Sequence, residues 1–315
     1  MRPPAPRRAL TLIAAVAALG VILTGCSAAS RPDATTSMSA ASAGTHAVEH
    51  ARGTTEVPDS PQRVVVLEPV ELDTAVALGV TPVGAALPAN VGGVPAYLGV
   101  SGVQSVGTVA EPDLEAIASL RPDLILGTEA RHSKLYDQLS AIAPTVFMKT
   151  QADPWQRNVA LIGDALGHRT QAMALVDDFN SRCARIASEY PVAGKTANFV
   201  RPLSETSLRI YSPTSFAGSA LACVGLTIPA QPWDGDGGIG RDISPENILD
   251  AKADYVFVSS IDPADATTTP PAITRNAGEF PSLTLVDTSY WLSGVGPKGG
   301  ELVLDDIEKF LAAHR

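Results

Sequence analysis

Five histidines and three cysteines are spread over 315 residues. A site for bare zinc or manganese gathers about four side-chain ligands, chiefly from residues of these types. His46 and His50, beside Glu49, would share one face of a helix. They fall in a stretch rich in Ala, Ser, Thr and Gly, and no ligand set assembles around them. No resident metal and no cofactor is expected. Gly235-Asp236-Gly237-Gly238-Ile239-Gly240 has dinucleotide-type glycine spacing. That pattern needs a strand before it and a helix opening within it, and neither is legible here, so it reads as a loop. Asp234-Gly235-Asp236 begins like a calcium loop, but the twelfth position is Pro245 rather than glutamate. A hydrolase would have to use His132 as base, because His168 and His314 read as surface residues. No Gly-x-Ser-x-Gly elbow or His-Glu-x-x-His pair accompanies it. An enzyme is not expected, and a surface hydrolase is the weakest of the readings kept.

Charge and the first residues narrow the class. The formal net charge is −10, which argues against nonspecific nucleic-acid binding through phosphates. Apolar residues make up 45%, enough for a globular core. Arg2, Arg7 and Arg8 precede an apolar run from Leu10 to Leu23. At about 14 residues, against about 20 for a membrane span, the run fits a secretory signal. Leu23-Thr24-Gly25-Cys26 follows it and resembles the bacterial lipobox, which implies cleavage before Cys26 and lipid on that cysteine. The protein is then extracytoplasmic and held to the cell membrane. The expected organisation is a signal peptide over 1–25 and a lipidated flexible tether over 26–54. An N-terminal α/β lobe over 55–168, a long connecting helix over 169–190 and a C-terminal α/β lobe over 191–315 follow.

The elements behind that division come from periodicity. Arg63–Leu67, Pro82–Ala86, Pro122–Leu126 and Thr145–Met148 read as strands, with helices at 71–78, 113–120 and 133–142 between them. Strand–helix alternation of this kind builds a mainly parallel sheet. Two helices follow, over 153–167 and 169–190. In the second, Ala172, Leu175, Phe179, Cys183, Ile186 and Tyr190 form an amphipathic stripe. Alternation then resumes with strands at 196–201, 208–211, 255–259 and 284–286 and helices at 216–224, 245–251 and 301–312. Residues 261–277 read as a loop leading into a short helix. The fold class is α/β: two lobes with mainly parallel sheets joined by one long helix.

Several segments carry a family resemblance. They are Val57-Pro58-x-x-Pro61-x-Arg63-Val64-Val65-Val66-Leu67, Val106-Gly107 through Pro112-Asp113-Leu114-Glu115-Ala116-Ile117, and Leu120-Arg121-Pro122-Asp123-Leu124-Ile125. In the second lobe Leu208-Arg209-Ile210-Tyr211, Ser215-Phe216-Ala217-Gly218 and Ile243-Ser244-Pro245-Glu246 join them. In this order around one long helix, residues 55–315 resemble the substrate-binding lipoproteins of bacterial ABC importers for ferric siderophores and cobalamin, the helical-backbone class. The resemblance implies a monomer with a ligand cleft between the lobes and modest hinge motion. It also implies docking on an ABC permease, with its ATPase, through one exposed carboxylate per lobe; the matching positions are Glu115 and Glu246.

Such a cleft is lined by loops at strand ends. The candidates are Leu87 to Asn90, Tyr97, Arg131, Trp155, Arg201, Tyr211, Phe216, Trp233 and Trp291. Arg201 leads, followed by Trp155 and Trp291. Guanidinium groups donate to the oxygens of a chelate, and aromatic rings pack on its bulk. A metal already saturated by its carrier asks for no His or Cys, so a ferric siderophore is favoured over a free ion. Hydroxamate, catecholate, citrate, haem and cobalamin stay open. The negative net charge favours neutral or cationic chelates, whereas the cleft arginines favour citrate or catecholates and act at shorter range. The alternative function is a structural envelope lipoprotein with an idle cleft. Cys183 and Cys223 are either bridged or two buried thiols, since their separation decides it.

Overall fold

The structure is a computed structural model that describes residues 44–89, 92–151, 154–234 and 238–314. The expected signal segment, Cys26, Asn90 and the stretch Gly235 to Gly237 lie outside the described residues. The described residues form one compact unit.

A hairpin comes first: β1 (Thr45–His50) pairs antiparallel with β2 (Gly53–Pro58). Residues 45–54 are therefore part of a β-hairpin rather than flexible tether. Val48 and Val57 turn inward, and the Ala51 N–H donates to the Phe147 carbonyl. His46 bridges the Asp59 carboxylate and the Asp164 carbonyl, at 3.0 and 2.8 Å. His50 meets Thr55 and accepts from the Phe147 N–H. Neither histidine is poised for a metal.

The first lobe runs β3 (Val64–Val66), α1 (Pro69–Ala77), β4 (Gly84–Leu87), β5 (Gln104–Thr108), α2 (Leu114–Ser119), β6 (Leu124–Thr128), α3 (Glu129–His132), α4 (Tyr136–Ser140) and β7 (Thr145–Met148). The sheet order is β5-β4-β3-β6-β7, every pair parallel. Pro69 opens α1 at its first position, where the missing N–H would have no intrahelical acceptor. Asp113 caps α2 by accepting from the Glu115 and Ala116 amides, at 2.9 and 3.0 Å. Gly107, at φ +94°, makes the tight turn before it; a Cβ there would sit 2.6 Å from the Glu111 carbonyl.

Two helices connect the lobes, α5 (Trp155–Ala165) and α6 (Arg169–Glu189). The second lobe follows with β8 (Ala197–Ser204), β9 (Ser207–Tyr211), α7 (Phe216–Cys223), β10 (Gly240–Ile243), a kinked 3-10 segment (Pro245–Ala251), β11 (Tyr255–Ser260), α8 (Pro271–Arg275), β12 (Leu283–Asp287), α9 (Thr288–Trp291) and α10 (Pro297–Ala313). Its order is β10-β9-β8-β11-β12. The strands β8, β11 and β12 are parallel, while β9 and β10 run antiparallel at one edge.

Strand alternation decides where the core sits. Val64, Val66, Leu124 and Leu126 face inward to the core that contains α5 and α6. Val65 and Ile125 face an outer cluster with Ile117, Leu139 and Phe147. The second lobe repeats this, with Phe199 and Phe257 inward and Val200, Val256 and Val258 outward. The inner cluster runs unbroken from Val48 to Leu311, so both lobes share one core. On α6 the buried stripe is Ala172, Val176, Phe179, Cys183 and Ile186, with Tyr190 just beyond; Val176 takes the inward place expected for Leu175. Cys183 and Cys223 are disulfide-bonded, Cα atoms 5.5 Å apart, tying α6 to α7. Closing that loop removes denatured-state entropy worth on the order of 4 kcal/mol.

One carboxylate stitches the lobes directly. Asp73 of α1 is fully buried and accepts from the Lys298 and Gly299 amides, at 2.8 and 2.9 Å, and from the Tyr97 hydroxyl at 2.8 Å. It thereby satisfies the N-terminal amides of α10, which otherwise lack acceptors. Burial pushes its pKa up to about 6, against the pull of those donors.

Candidate functional site

A cavity of about 910 Å³ opens between the lobes. The two lobes build its walls differently. The first lobe supplies segments that follow its parallel strands: Pro69 and Val70 after β3, Pro88 and Ala89 after β4, Val109 and Ala110 after β5, Arg131 after β6, and Gln151 after β7. All carboxyl ends of a parallel sheet point the same way, so five loops converge on one face. The second lobe supplies a sheet face. Phe199 and Arg201, two apart on β8, project to one side beside Tyr211 of β9, and Trp291 and Phe216 complete it.

The floor is aromatic. Trp155 meets Phe179 and Phe216 edge to face, at centroid distances of 4.9 and 5.6 Å. Trp291 stacks between Phe199 and Phe257, at 5.4 and 5.0 Å. Six residues expected from the sequence therefore meet at this cavity: Arg131, Trp155, Arg201, Tyr211, Phe216 and Trp291.

Some expectations change. Arg201 lies within β8, not after it. Beyond Val200 the strand leaves β11 and continues with β9 alone as a two-stranded ribbon. There Pro202 needs no ladder partner on its free side. The indole N–H of Trp291 donates to Asp306 at 2.9 Å, so it offers only ring surface. Tyr97 and Trp233 do not line the cavity. Tyr97 spends its hydroxyl on Asp73 and packs on Tyr290, and Trp233 is partly buried against the shared inner core and the outer cluster of the second lobe. Of Leu87 to Asn90, Pro88 and Ala89 line the wall.

The charge of the wall is one-sided. Among the described residues lining the cavity, every ionic side chain is an arginine: Arg131 from one lobe and Arg201 from the other. One further donor, Trp155 Nε1, is buried without a hydrogen-bond partner. A buried donor left unmet costs about 1–3 kcal/mol, which an incoming acceptor recovers. Burial pushes the Tyr211 hydroxyl up in pKa, opposed by the adjacent Arg201 guanidinium.

Behind Arg131 lies a carboxyl pair that the sequence reading missed. Glu68 is fully buried, with Oε2 at 3.3 Å from Arg131 Nη1. Arg131 Nη2 donates to Gln151 Oε1 at 2.5 Å. Glu71, also buried, accepts from the Leu67 and Glu68 amides. Burial raises Glu68 to about 7, with Arg131 pulling down, and raises Glu71 well above the usual carboxylate range. The available signal was three acids, Glu68, Glu71 and Asp73, inside an apolar run.

Among the described residues lining the cavity there is no histidine, aspartate or glutamate. His132 is buried; Nδ1 accepts from the Thr128 amide, so Nε2 donates to the Val109 carbonyl at 2.8 Å. It braces two wall loops and has no free nitrogen to serve as a base. No cluster of three or more metal-ligating side chains occurs among the described residues, and none of their helices is long and apolar enough to cross a membrane. Glu115, in the first turn of α2, and Glu246, in the 3-10 segment, are both exposed, one on each lobe.

Comparison with known proteins gives a consistent result. A family model described as periplasmic binding protein matches residues 64–277. The probable siderophore-binding lipoprotein YfiY of Bacillus subtilis is 32% identical over 309 residues, covering 92% of this chain and 94% of that one. The Fe(3+) dicitrate-binding periplasmic protein FecB of Escherichia coli is 35% identical over 194 residues, 58% of this chain and 62% of that one. The crystal structure of Staphylococcus aureus SirA complexed with staphyloferrin B superposes with a TM-score of 0.68 at 28% identity, covering 85% of this chain and 99% of that one.

Proposed function

The chain belongs to the periplasmic binding protein family, and from that premise we propose that it captures a ferric siderophore outside the cell and delivers it to an ABC importer. The ligand we assign is an anionic, oxygen-rich ferric chelate of the citrate class. One observation carries that choice: among the described residues lining the cavity, the ionic side chains are two arginines, one from each lobe. Relatives that bind siderophores and ferric dicitrate support it.

The chemistry follows from the wall. Chelate oxygens accept from Arg131, Arg201 and the Trp155 indole, and charge assistance roughly doubles each arginine bond. The aromatic floor covers the apolar parts of the chelate. The iron arrives with its own ligands, as cargo rather than cofactor, so the protein needs no side-chain donors to it. The shared core and the Asp73 bridge restrain the lobes to small relative movements. Glu115 and Glu246 then present carboxylates to permease arginines, and lipid on Cys26 keeps the receptor beside its permease and ATPase.

The test is a fluorescence titration of the purified protein with ferric and iron-free citrate, hydroxamates, catecholates, haem and cobalamin. The readout is tryptophan quenching, corrected for chelate absorption. Saturable quenching by the ferric citrate class and none by the iron-free acid is the expected result. A flat response to every ferric complex would return the protein to a structural envelope role.

A further inference from the structure

The cleft arginines have unequal backing. Arg201 stands beside a phenol, whereas Arg131 stands between the cavity and the buried Glu68 carboxyl. The Arg131 side chain is 43% exposed and that of Glu68 not at all. Glu68 Oε1 has no hydrogen-bond partner, and Oε2 lies 3.3 Å from Arg131 Nη1, with the Gln151 side chain also lowering the carboxyl's pKa. The charged groups facing it are Glu71 on its own side and Arg131 from α3; Gln151 faces it from the segment after β7. A carboxylate in that setting is poorly solvated, which disfavours its charged form.

We propose that Glu68 is a charge-compensating residue of the cleft, so that an anionic ferric chelate binds together with a proton taken up by its carboxyl. This rests on the ligand reading above. The chelate's negative oxygens engage the outer face of Arg131. Its guanidinium then serves two anions, and Glu68 Oε2, the buried one, loses part of its compensation. Protonating Glu68 removes the repulsion and leaves the full charge of Arg131 to the ligand. A neutral chelate brings no such repulsion and takes up no proton. The cleft thus selects for charge through a residue that the ligand does not touch. Because burial already holds Glu68 near about 7, the free protein at neutral pH is poised to accept the proton, up to roughly half of one per ligand.

Calorimetric titrations at pH 7 in buffers of different ionisation enthalpy measure the protons taken up. The probes are ferric citrate and an uncharged ferric trihydroxamate. Expected for ferric citrate is net uptake and an affinity that rises several-fold from pH 8 to pH 6. The Glu68→Gln variant, which keeps the shape and loses the titration, should cancel both relative to wild type and so subtract the chelate's own protonation. Identical proton counts and pH slopes in wild type and E68Q would overturn the inference while leaving capture of the chelate intact. A carbon-13 carboxyl titration of the free wild-type protein needs neither ligand nor variant. Glu68 titrating between pH 6 and 8 is expected, and a carboxylate ionised throughout that range would overturn the inference. Failure of every ferric complex to bind would instead sink the transport reading on which it rests.

Discussion

The two lobes present one arginine each to the same cavity, but on different foundations. Arg131 comes from a four-residue helix after β6, leans on Gln151 and shares its charge with buried Glu68. Arg201 projects from the face of β8, a strand paired on both sides as far as Val200, beside the Tyr211 ring. The first lobe reaches the ligand with the loops and helix starts that follow its strands; the second offers a sheet backed by stacked aromatics. The difference separates an adjustable donor from a fixed one. Coulomb attraction to a chelate is strongest where no counter-anion stands behind the cation, which makes Arg201 the principal anchor and Arg131 the tunable one.

The largest effect should come from the fixed side. Arg201→Ala is expected to weaken ferric citrate binding about 100-fold, the loss of charge-assisted hydrogen bonds worth about 3 kcal/mol. An unchanged dissociation constant would remove Arg201 from the site and dissolve the contrast. Next is the bridge between the lobes. Asp73→Ala leaves the Lys298 and Gly299 amides and the Tyr97 hydroxyl without their acceptor, and should cost about 2 kcal/mol of stability, read as a lower denaturation midpoint. Because the folded pKa of Asp73 is raised, from 3.8 to about 6, its contribution is greatest at low pH and shrinks as pH climbs through that interval. The variant should therefore flatten wild-type stability loss between pH 4 and 6.

A smaller change is expected from Arg131→Ala, about fivefold at pH 8, where Glu68 is ionised and already occupies part of its charge. The deficit should widen toward pH 6. Equal deficits at both pH values would mean that the two arginines are backed alike. Last, replacing Glu115 and Glu246 together by alanine should leave chelate affinity unchanged and depress uptake by cells. Weakened binding in that double variant would place these carboxylates in the ligand site instead of on the permease side.

Much of this was legible in the sequence where burial follows period. The stripe on α6 declares itself at spacings of three and four because one helix face must be apolar, and the Val-rich runs at Val64–Val66 and Tyr255–Ser260 are strands that sit buried in their sheets. Arg131, Arg201 and Trp155 were legible as cleft residues from their place near strand and helix ends. Three kinds of feature were not. The hairpin of β1 and β2 hides in an Ala/Ser/Thr/Gly-rich stretch, where one inward valine per strand, Val48 and Val57, is the entire signal. The strands β5 and β10 are short and glycine-bearing, so neither alternation nor β-branching marks them. Glu68, Glu71 and Asp73 look like the polar face of a helix. Their burial is decided by α10, more than two hundred residues away, and by Arg131, and local pattern carries no trace of either partner.

The most direct test of the central claim is a crystal structure of the protein with ferric citrate bound. The chelate is expected in the cavity between the lobes, with guanidinium nitrogens of both Arg131 and Arg201 within about 3 Å of its oxygens and the Trp155 indole N–H donating to it. A chelate held by one lobe alone, or seated away from both arginines, would contradict it.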